Sequence, residues 1–461
     1  MPRPNHPDLD RAGAGELAAA VRARTTSALA LCDAAIARIE RLDAPVNAVV
    51  VRDFERAREQ AQACDERIAG GDTGGALLGV PMTVKESYNI AGLPTTWGLP
   101  PFRDFRPTDD AVLIQRLKAA GAVILGKTNV PPALGDWQSA NPIHGVTVNP
   151  HDHTRTPGGS SGGGAAALAA GMVPLELGSD IGGSIRVPAH FCGVFGHKPS
   201  FGLLPQRGHA PPGVDGAGID LAVCGPMARS AADLELALGV LAGPDGDDAN
   251  GYRLDLPAPR VPTIAGLRVL LLDTHPDARV DAPTREALDA LAGDLVRAGA
   301  RVARASPRLP ESLPDLAAVH KDYVTMLMTI TSYGTPGARD VISAHAWFTL
   351  IQRRAKVRRQ WRALFGEFDV VLAPVFGTAA FPLTNEADWG KRTLLLDGEP
   401  TPFGDQLAWS GMATFAGLPA TVAPIATSPE RLPIGVQIIG AFLHDRTTIA
   451  LAHQIDVLRA G

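Results

Sequence analysis

Strand-like and helix-like hydrophobic patterns alternate along nearly the whole length of the 461-residue chain. Between Glu16 and Leu42 the apolar residues recur at intervals of three and four, which predicts two amphipathic helices. Residues 47–52 form a strand-like run, and residues 54–69 return to the helical interval. Such alternation is typical of α/β folds. We therefore predict a mixed sheet covered by helices.

No internal repeat and no low-complexity linker interrupts this alternation. The loop at residues 243–250 is the best candidate for a boundary, and no comparable break occurs elsewhere. Large α/β folds often exceed the usual domain length of roughly 150 residues. We therefore predict a single domain that spans residues 1–461.

The composition argues against a protein that binds nucleic acid. The formal net charge is −5, so no face needs to be strongly basic. One basic run, residues 353–359, is predicted to be the solvated face of a helix because apolar residues interleave with its charges. The first 25 residues lack an apolar segment, and no apolar run reaches the length of about 18 residues that a membrane span needs. We expect a cytoplasmic protein that does not bind a membrane.

Cysteine and histidine residues give little sign of a disulfide framework or a metal site. The four cysteines are widely spaced and form no paired motif, which predicts buried free thiols. His151 and His153 lie two positions apart, but no cluster supplies a third ligand. We therefore predict no metal ion.

Two glycine-rich segments match functional motifs only in part. Residues 121–128 fit the P-loop pattern GxxxxGK[ST], but their four middle residues are apolar and strand-like. Residues 158–162 fit the G-x-S-x-G elbow of an α/β-hydrolase esterase, with Ser160 as nucleophile and a late histidine such as His444. No buried strand precedes this serine, because residues 155–157 are Arg-Thr-Pro. The esterase interpretation stays open as an alternative.

A third glycine-rich segment, residues 178–188, carries the strongest chemical signal. It reads Gly-Ser-Asp-Ile-Gly-Gly-Ser-Ile-Arg-Val-Pro and places Ser184 directly after two glycines. Glycines at such a turn let backbone N–H groups converge on one point, as an oxyanion hole requires. Asp180 and Arg186 flank the turn with opposite charges and are predicted to pair beneath it. The segment therefore predicts a serine nucleophile at position 184.

With its other motifs, the sequence resembles the amidase signature family over nearly the whole chain. The matching segments are residues 79–86, 126–129, 149–150, 155–163, 178–188, 191–194, 198–199, 225–229, 417–420 and 433–438. The resemblance implies an α/β amidase-signature fold, a large mixed, twisted β-sheet core covered by helices on both faces. It also implies a signature core at about residues 75–245 and a variable substrate-pocket region at about residues 261–369.

The resemblance implies a catalytic triad without histidine. The family's lysine falls on Lys85, its serine on a cis peptide bond falls on Ser160, and its nucleophile falls on Ser184. Four backbone N–H groups would form the oxyanion hole, those of Ile181, Gly182, Gly183 and Ser184. Three further residues are predicted to support the site, namely Ser161, Asp180 and Arg186.

The chemistry of such a triad depends on the protonation state of the lysine. A serine hydroxyl becomes an effective nucleophile only when a base accepts its proton. Lysine is a base only as a free amine, and its pKa in water is about 10.4. Because Lys85 ends an apolar, strand-like run, we predict that burial lowers its pKa. Ser160 would carry the proton between Lys85 and Ser184, and no metal or organic cofactor is required.

The predicted substrate is a small neutral molecule with an amide-type C–N bond. Leu134 lies where family members contact the substrate, and Trp137 and Phe376 are predicted to add apolar surface. We expect hydrolysis of linear, non-peptide amides such as aryl amides and anilides, with carbamates (urethanes) and small esters as further candidates. The chain is similar in this respect to bacterial aryl acylamidases and urethane-cleaving amidases.

An A-type component of a glutamine-dependent amidotransferase complex remains an alternative within the same family. The basic helix motif of these proteins, of the Glu-Val-Lys-Arg-Arg-Ile type, is not visible in the sequence. We therefore expect a stand-alone enzyme that acts as a monomer or homodimer.

Overall fold

The computed structural model describes residues 12–214, 216–260, 263–304, 315–332 and 341–460. Its strands are β1 (Val49–Arg52), β2 (Pro81–Lys85), β3 (Val123–Thr128), β4 (Ala140–Asn141), β5 (Gly145–Val146), β6 (Leu175–Asp180), β7 (Phe195–Lys198), β8 (Val223–Ala228), β9 (Arg268–Leu271), β10 (Arg301–Ala303), β11 (Val370–Pro374), β12 (Thr393–Leu396), β13 (Glu399–Pro402), β14 (Ala420–Thr427) and β15 (Pro433–Ile439).

The helices alternate with these strands. They are α1 (Ala14–Arg22), α2 (Ala28–Leu42), α3 (Phe54–Ala69), α4 (Val112–Ala119), α5 (Gly162–Ala169), α6 (Arg186–Cys192), α7 (Ala231–Leu241), α8 (Asp248–Gly251), α9 (Ala282–Arg297), α10 (Leu316–Thr331), α11 (Ala344–Glu367), α12 (Leu407–Ala416) and α13 (Asp445–Ala460). The helices and strand predicted for the first 69 residues are all present.

A mixed sheet of 11 strands organises the described residues. Its order is β1-β3-β2-β6-β8-β7-β14-β15-β11-β9-β10. β2 runs parallel to both of its neighbours, β3 and β6. The next strands in the spatial order, β6-β8-β7-β14-β15, each pair antiparallel with the strand that follows. Helices cover both faces of the sheet, which confirms the predicted α/β fold class. Strands from both halves of the sequence share this one sheet.

The two strands that matter most for the site, β2 and β6, lie near the middle of one half of the sheet. All five residues of β2 and all six of β6 are buried. A parallel strand that is covered on both faces consists largely of apolar residues, and the run Pro81-Met-Thr-Val-Lys85 is apolar at three of its five positions, the exceptions being Thr83 and Lys85. A lysine at the end of such a strand is therefore carried into the interior.

The basic run at residues 353–359 lies on α11, and its predicted solvation is wrong for two arginines. Arg354 is buried, and its guanidinium pairs with Asp220 at 2.6 Å. Arg358 donates to the Ala416 carbonyl oxygen at 2.8 Å, and its guanidinium lies over the Phe442 ring. These arginines anchor α11 to the rest of the fold because their long side chains reach partners on neighbouring segments.

Two further predictions can be compared with the described residues. All four cysteines are buried free thiols, as expected. No helix in the described ranges combines the length and the apolar composition that crossing a membrane would require. The single-domain assignment stays a prediction, and parts of the variable region, residues 305–314 and 333–340, lie outside the described residues.

Candidate active site

The candidate site lies at the carboxyl ends of two neighbouring parallel strands, β2 and β6. β2 ends at Lys85 and β6 ends at Asp180, with Val84 opposite Leu177 in the register between them. The turn after β6 leads directly into α6, which begins at Arg186. Loops at the carboxyl ends of parallel strands converge, so the predicted base and the turn of the predicted nucleophile come together.

Lys85 is the centre of a buried hydrogen-bond cluster. Its Nζ atom donates to Ser160 Oγ at 2.6 Å and to Ser179 Oγ at 2.9 Å. The Ser179 carbonyl oxygen accepts a weaker hydrogen bond from the same nitrogen at 3.4 Å. The peptide bond between Gly159 and Ser160 is cis. The structure thus joins Lys85 directly to Ser160, the contact on which a proton relay between them would depend.

Burial sets the protonation state of Lys85. The side chain is completely enclosed, and the loss of hydration lowers the pKa of Lys85 from 10.5 to about 7. The negative charges of Asp180 and Glu176 oppose this effect but do not cancel it. At neutral pH a substantial fraction of Lys85 is therefore a free amine, which is the form that can accept a proton.

Ser161 connects the loop of Ser160 to the turn of Ser184. Its N–H donates to the Ser184 carbonyl oxygen at 3.1 Å. Its hydroxyl donates to the Ser179 carbonyl oxygen at 3.2 Å and accepts from the Ser179 N–H at 3.3 Å. These contacts give a physical reason for the predicted supporting role of Ser161. The side-chain step from Ser160 to Ser184 stays a prediction.

Asp180 and Arg186 pair beneath the turn of Ser184. Arg186 Nη2 lies 2.8 Å from Asp180 Oδ1, and Arg186 Nε lies 3.0 Å from Oδ2. The remaining donors of Arg186 reach Gln437 Oε1 at 2.6 Å, Thr414 Oγ1 at 2.7 Å and the Ser410 carbonyl oxygen at 3.0 Å. Burial alone would raise the pKa of Asp180, but the charge and hydrogen bonds of Arg186 hold it at about 2. The carboxylate therefore stays ionised.

The Asp180 carboxylate also takes up one of the predicted oxyanion-hole donors. The Gly183 N–H donates to Asp180 Oδ1 at 3.0 Å, and the Ile185 N–H donates to Oδ2 at 3.1 Å. The φ angle of Gly183 is +94°, a conformation that favours glycine. Because the Gly183 N–H points at Asp180, the oxyanion-hole hypothesis rests on the N–H groups of Ile181, Gly182 and Ser184.

An aromatic cluster packs against this turn and contains two of the three residues predicted to contact the substrate. Trp137 and Phe376 are buried, with ring centroids 5.0 Å apart, and Trp137 also contacts Trp389 and Phe403. The Trp137 indole Nε1–H donates to the Gly182 carbonyl oxygen at 2.9 Å. Trp137 thus holds the turn, a role that its sequence position did not reveal.

Leu134, the third residue predicted to contact the substrate, lies on the loop before Trp137. It is half-buried at the end of a short 3₁₀ turn, Pro132–Leu134, and has a φ angle of +59°. A side chain on such a loop is more accessible than the enclosed rings of Trp137 and Phe376. Substrate contact by any of the three stays a prediction.

Glu176 is an acidic residue near Lys85 that the sequence interpretation did not single out. It lies within β6, where the Thr128 hydroxyl donates to its Oε1 at 2.6 Å and the Thr83 hydroxyl donates to its Oε2. Burial raises the pKa of Glu176 to about 7. The sequence signal that could have identified Glu176 is its position between two leucines of an apolar run. A carboxyl group buried in this way has a perturbed pKa, and such groups cluster at functional sites.

The described ranges contain no group of three or more His, Cys, Asp or Glu side chains arranged to hold a metal ion. The motif that resembled a P-loop is a strand, because residues 123–128 form β3 and the Lys127 amine is enclosed. It hydrogen-bonds Thr95 Oγ1 at 2.8 Å. The expectation that no metal or cofactor is needed stays a prediction.

The amidase family model matches residues 30–330 and 334–449 of the chain. The chain belongs to the amidase family. Membership confirms the resemblance seen in the sequence motifs and identifies a hydrolase that acts on the C–N bonds of amides. The candidate site described above lies entirely within the matched residues.

Individual relatives cover almost the whole chain. AtzE, a component of the 1-carboxybiuret hydrolase of Pseudomonas sp. (strain ADP), is 36% identical over 454 residues, which cover 92% of this chain and 94% of the relative. The A-type component of the glutamyl-tRNA(Gln) amidotransferase of Deinococcus radiodurans is 34% identical over 97% of both chains. The crystal structure of a bacterial aryl acylamidase superposes with a TM-score of 0.81 at 25% identity, covering 97% of this chain and 96% of the other.

Proposed function

We propose that this amidase cleaves small neutral amides through an acyl-enzyme on Ser184. One observation carries the proposal: a completely buried lysine amine with a lowered pKa donates to Ser160 Oγ at 2.6 Å. Lys127 and Lys198 are also enclosed and have lowered pKa values, so the contact with Ser160 is what distinguishes Lys85 as the general base. The Ser161 contact then links this pair to the turn of Ser184.

The proposed reaction proceeds in two steps. In the first, the Ser184 oxygen attacks the carbonyl carbon while its proton passes through Ser160 to Lys85. Backbone N–H groups of the turn stabilise the negative charge on the carbonyl oxygen. The proton then moves to the nitrogen, the C–N bond breaks and the amine departs. In the second step water attacks the acyl-enzyme by the same proton route, releasing the acid and restoring Ser184.

The surroundings of the site support neutral, aromatic substrates. The cluster beside the turn is built from aromatic rings, and the charges next to it neutralise each other: Arg392 donates to both carboxylate oxygens of Asp136 at 2.6 and 2.9 Å. The similarity to the aryl acylamidase structure points the same way. We therefore propose anilides and aryl amides as the main substrates, with aryl carbamates and small esters as further candidates because they present the same acyl carbon to Ser184.

Active-site labelling tests the nucleophile and its base. A fluorophosphonate should add one adduct mass to the wild-type protein and none to Ser184→Ala. Lys85→Ala should label far more slowly, because it removes a general base worth about 10²- to 10⁴-fold. An unlabelled wild-type protein, or a Lys85→Ala protein that labels at the wild-type rate, would refute the proposal.

A substrate panel tests the proposed specificity. Purified protein should release aniline from neutral anilides, and the wild-type rate should exceed that of Ser184→Ala by several orders of magnitude. Aryl carbamates belong in the same panel because they test the urethanase candidate directly. If none of these substrates releases an amine, the proposed substrate class is wrong even when Ser184 is labelled.

An A-type component of an amidotransferase complex is the second candidate, because the Deinococcus protein is similar over 97% of both chains. Glutamine hydrolysis that requires added partner proteins would favour it. An esterase that uses Ser160 is less well supported, since the Ser160 hydroxyl is bonded to Lys85 and α5 begins after a loop instead of a strand. That enzyme would tolerate Lys85→Ala and lose activity in His444→Ala. A monomeric or homodimeric state and a cytoplasmic location remain predictions.

A further inference from the structure

Each carbonyl group of the turn at residues 181–184 accepts a hydrogen bond from outside the turn. The donors are Tyr323 OH to Ile181 O at 2.8 Å, Trp137 Nε1 to Gly182 O at 2.9 Å, Val187 N to Gly183 O at 2.7 Å, and Ser161 N to Ser184 O at 3.1 Å. Two of the four donors are side chains, and Tyr323 belongs to α10, in the variable part of the sequence.

These hydrogen bonds determine where the N–H groups of the turn point. In a trans peptide the C=O and N–H bonds lie in one plane and point in opposite directions. The Gly182–Gly183 peptide shows this: its carbonyl meets Trp137, and its N–H meets Asp180 at 3.0 Å. By the same geometry, the hydroxyl that holds the Ile181 carbonyl directs the Gly182 N–H away from Tyr323.

We infer that Tyr323 is a positioning residue that orients the Gly182 N–H as an oxyanion-hole donor. The inference rests on the proposed function, because a donor matters only if negative charge develops beside it. Tyr323 acts through the Ile181–Gly182 peptide and needs no contact with the substrate. It lies 142 positions from Ile181, so a segment outside the signature core completes the turn.

The packing around Tyr323 holds its hydroxyl in place. The residue is completely buried, and α12 approaches its ring so closely that a Cβ atom at Gly411 would lie 2.6 Å from Tyr323 Cδ1. Burial raises the pKa of Tyr323 well above its ordinary value, so the hydroxyl keeps its proton and remains a donor. Because its ring is fixed and its hydroxyl keeps its proton, Tyr323 can hold the Ile181–Gly182 peptide in one orientation.

Tyr323→Phe tests the inference because it deletes the hydroxyl and keeps the ring. We expect the fluorophosphonate labelling rate and kcat for an anilide to fall about tenfold or more, less than the 10²- to 10³-fold effect of removing an oxyanion-hole donor outright. KM should change little, since ground-state binding is not affected. The final extent of labelling should match wild type, which shows that every molecule remains competent.

Tyr88→Phe is the matched control. Tyr88 is equally buried, and its hydroxyl donates to the Gly178 carbonyl oxygen at 2.7 Å, before the turn. This variant should lose similar stability but label at a rate much closer to wild type. Equal slowing of both variants would overturn the inference, because it would reflect only the loss of a buried hydrogen bond.

The remaining outcomes separate the inference from the proposed function. If wild type is not labelled at all, the proposed function fails first. If wild type is labelled and Tyr323→Phe keeps its rate, Tyr323 does not position the turn. Should Tyr323→Phe fail to fold, Gly411→Ala replaces it, because the added methyl group displaces the Tyr323 ring while the hydroxyl is retained. A wild-type labelling rate in Gly411→Ala would then overturn the inference.

Discussion

The Arg186 guanidinium and the Asp180 carboxylate form a two-point ion pair that is completely buried beneath the turn carrying Ser184. Burying two charges is costly unless their hydrogen bonds are satisfied, and here Gln437, Thr414 and Ser410 accept the donors that remain. Asp180 in turn accepts from backbone N–H groups of the turn. The pair therefore acts as an internal support for the shape of the turn.

Replacing Arg186 with methionine should lower the free energy of unfolding by about 3–5 kcal/mol, because Asp180 would remain as an unpaired buried charge. Urea unfolding measures this change. Arg186→Lys should not restore stability, since one ammonium group cannot match the planar fork that reaches Asp180 and Gln437 together. Adding Asp180→Asn to Arg186→Met should recover part of the loss. A loss below about 1 kcal/mol for Arg186→Met would contradict the supporting role.

The activity should rise with pH because the base must be a free amine. Burial lowers the pKa of Lys85 to about 7, so kcat/KM should increase about tenfold per pH unit below 7 and level off above it. Glu176 opposes the lowering, so Glu176→Gln should move the midpoint to lower pH. A pH–rate profile of wild type and this variant measures both effects. A maximum below about pH 6 would exclude Lys85 as the base.

Lys85→Met should be inactive and more stable than wild type near neutral pH. The folded state lowers the pKa of Lys85 from 10.5 to about 7, so between these values the unfolded chain binds the proton more readily. The lowered pKa therefore reduces the free energy of unfolding. This loss of stability is absent above about pH 10.5, grows as the pH falls and is complete below about pH 7. The variant escapes a cost on the order of a few kcal/mol.

Urea unfolding of wild type and Lys85→Met at about pH 7 and about pH 10 measures that difference. The stability advantage of the variant should shrink at the higher pH. An advantage that is independent of pH would mean that Lys85 is not the titrating group.

The pair formed by Asp136 and Arg392 should couple the aromatic cluster to the loop before it. Arg392 is buried and contacts both carboxylate oxygens, so Arg392→Met should destabilise the protein by leaving Asp136 without its partner. A double-mutant cycle with Asp136→Asn should give a coupling energy of about 0.5–3 kcal/mol. Additive effects of the two substitutions would show that the ion pair contributes nothing beyond its separate side chains.

The positions of the main chemical groups could be predicted from sequence because each follows from a local pattern. Lys85 ends an apolar run, and such a run had to become a buried strand. Asp180 and Arg186 flank a glycine turn at a spacing of six, which made their pairing predictable. In both cases the sequence pattern and the residues predicted from it lie close together in the chain.

The contacts that escaped prediction connect residues far apart in the sequence. The Tyr323 hydroxyl donates to the carbonyl oxygen of Ile181, 142 positions earlier, and no local sequence pattern indicates this contact. The aromatic character of Trp137 suggests an apolar pocket but gives no sign that its indole N–H donates to the carbonyl oxygen of Gly182, 45 positions later. The resemblance places the Gly183 N–H in the oxyanion hole, whereas in the structure this group donates to the carboxylate of Asp180, three residues earlier. The direction of a peptide group depends on the folded chain around it.

The last two residues of β6 hydrogen-bond both the base and the turn that carries the nucleophile. Ser179 Oγ accepts a hydrogen bond from the Lys85 amine, and the Asp180 carboxylate accepts one from the Gly183 N–H. The end of one strand therefore contacts both the base and the turn. Because these two hydrogen bonds involve adjacent residues of one strand, a shift of β6 should displace the partner of the base and the partner of the turn in the same direction. Damage to the apolar packing beneath β6 should therefore shorten the lifetime of the folded enzyme well before it slows each turnover.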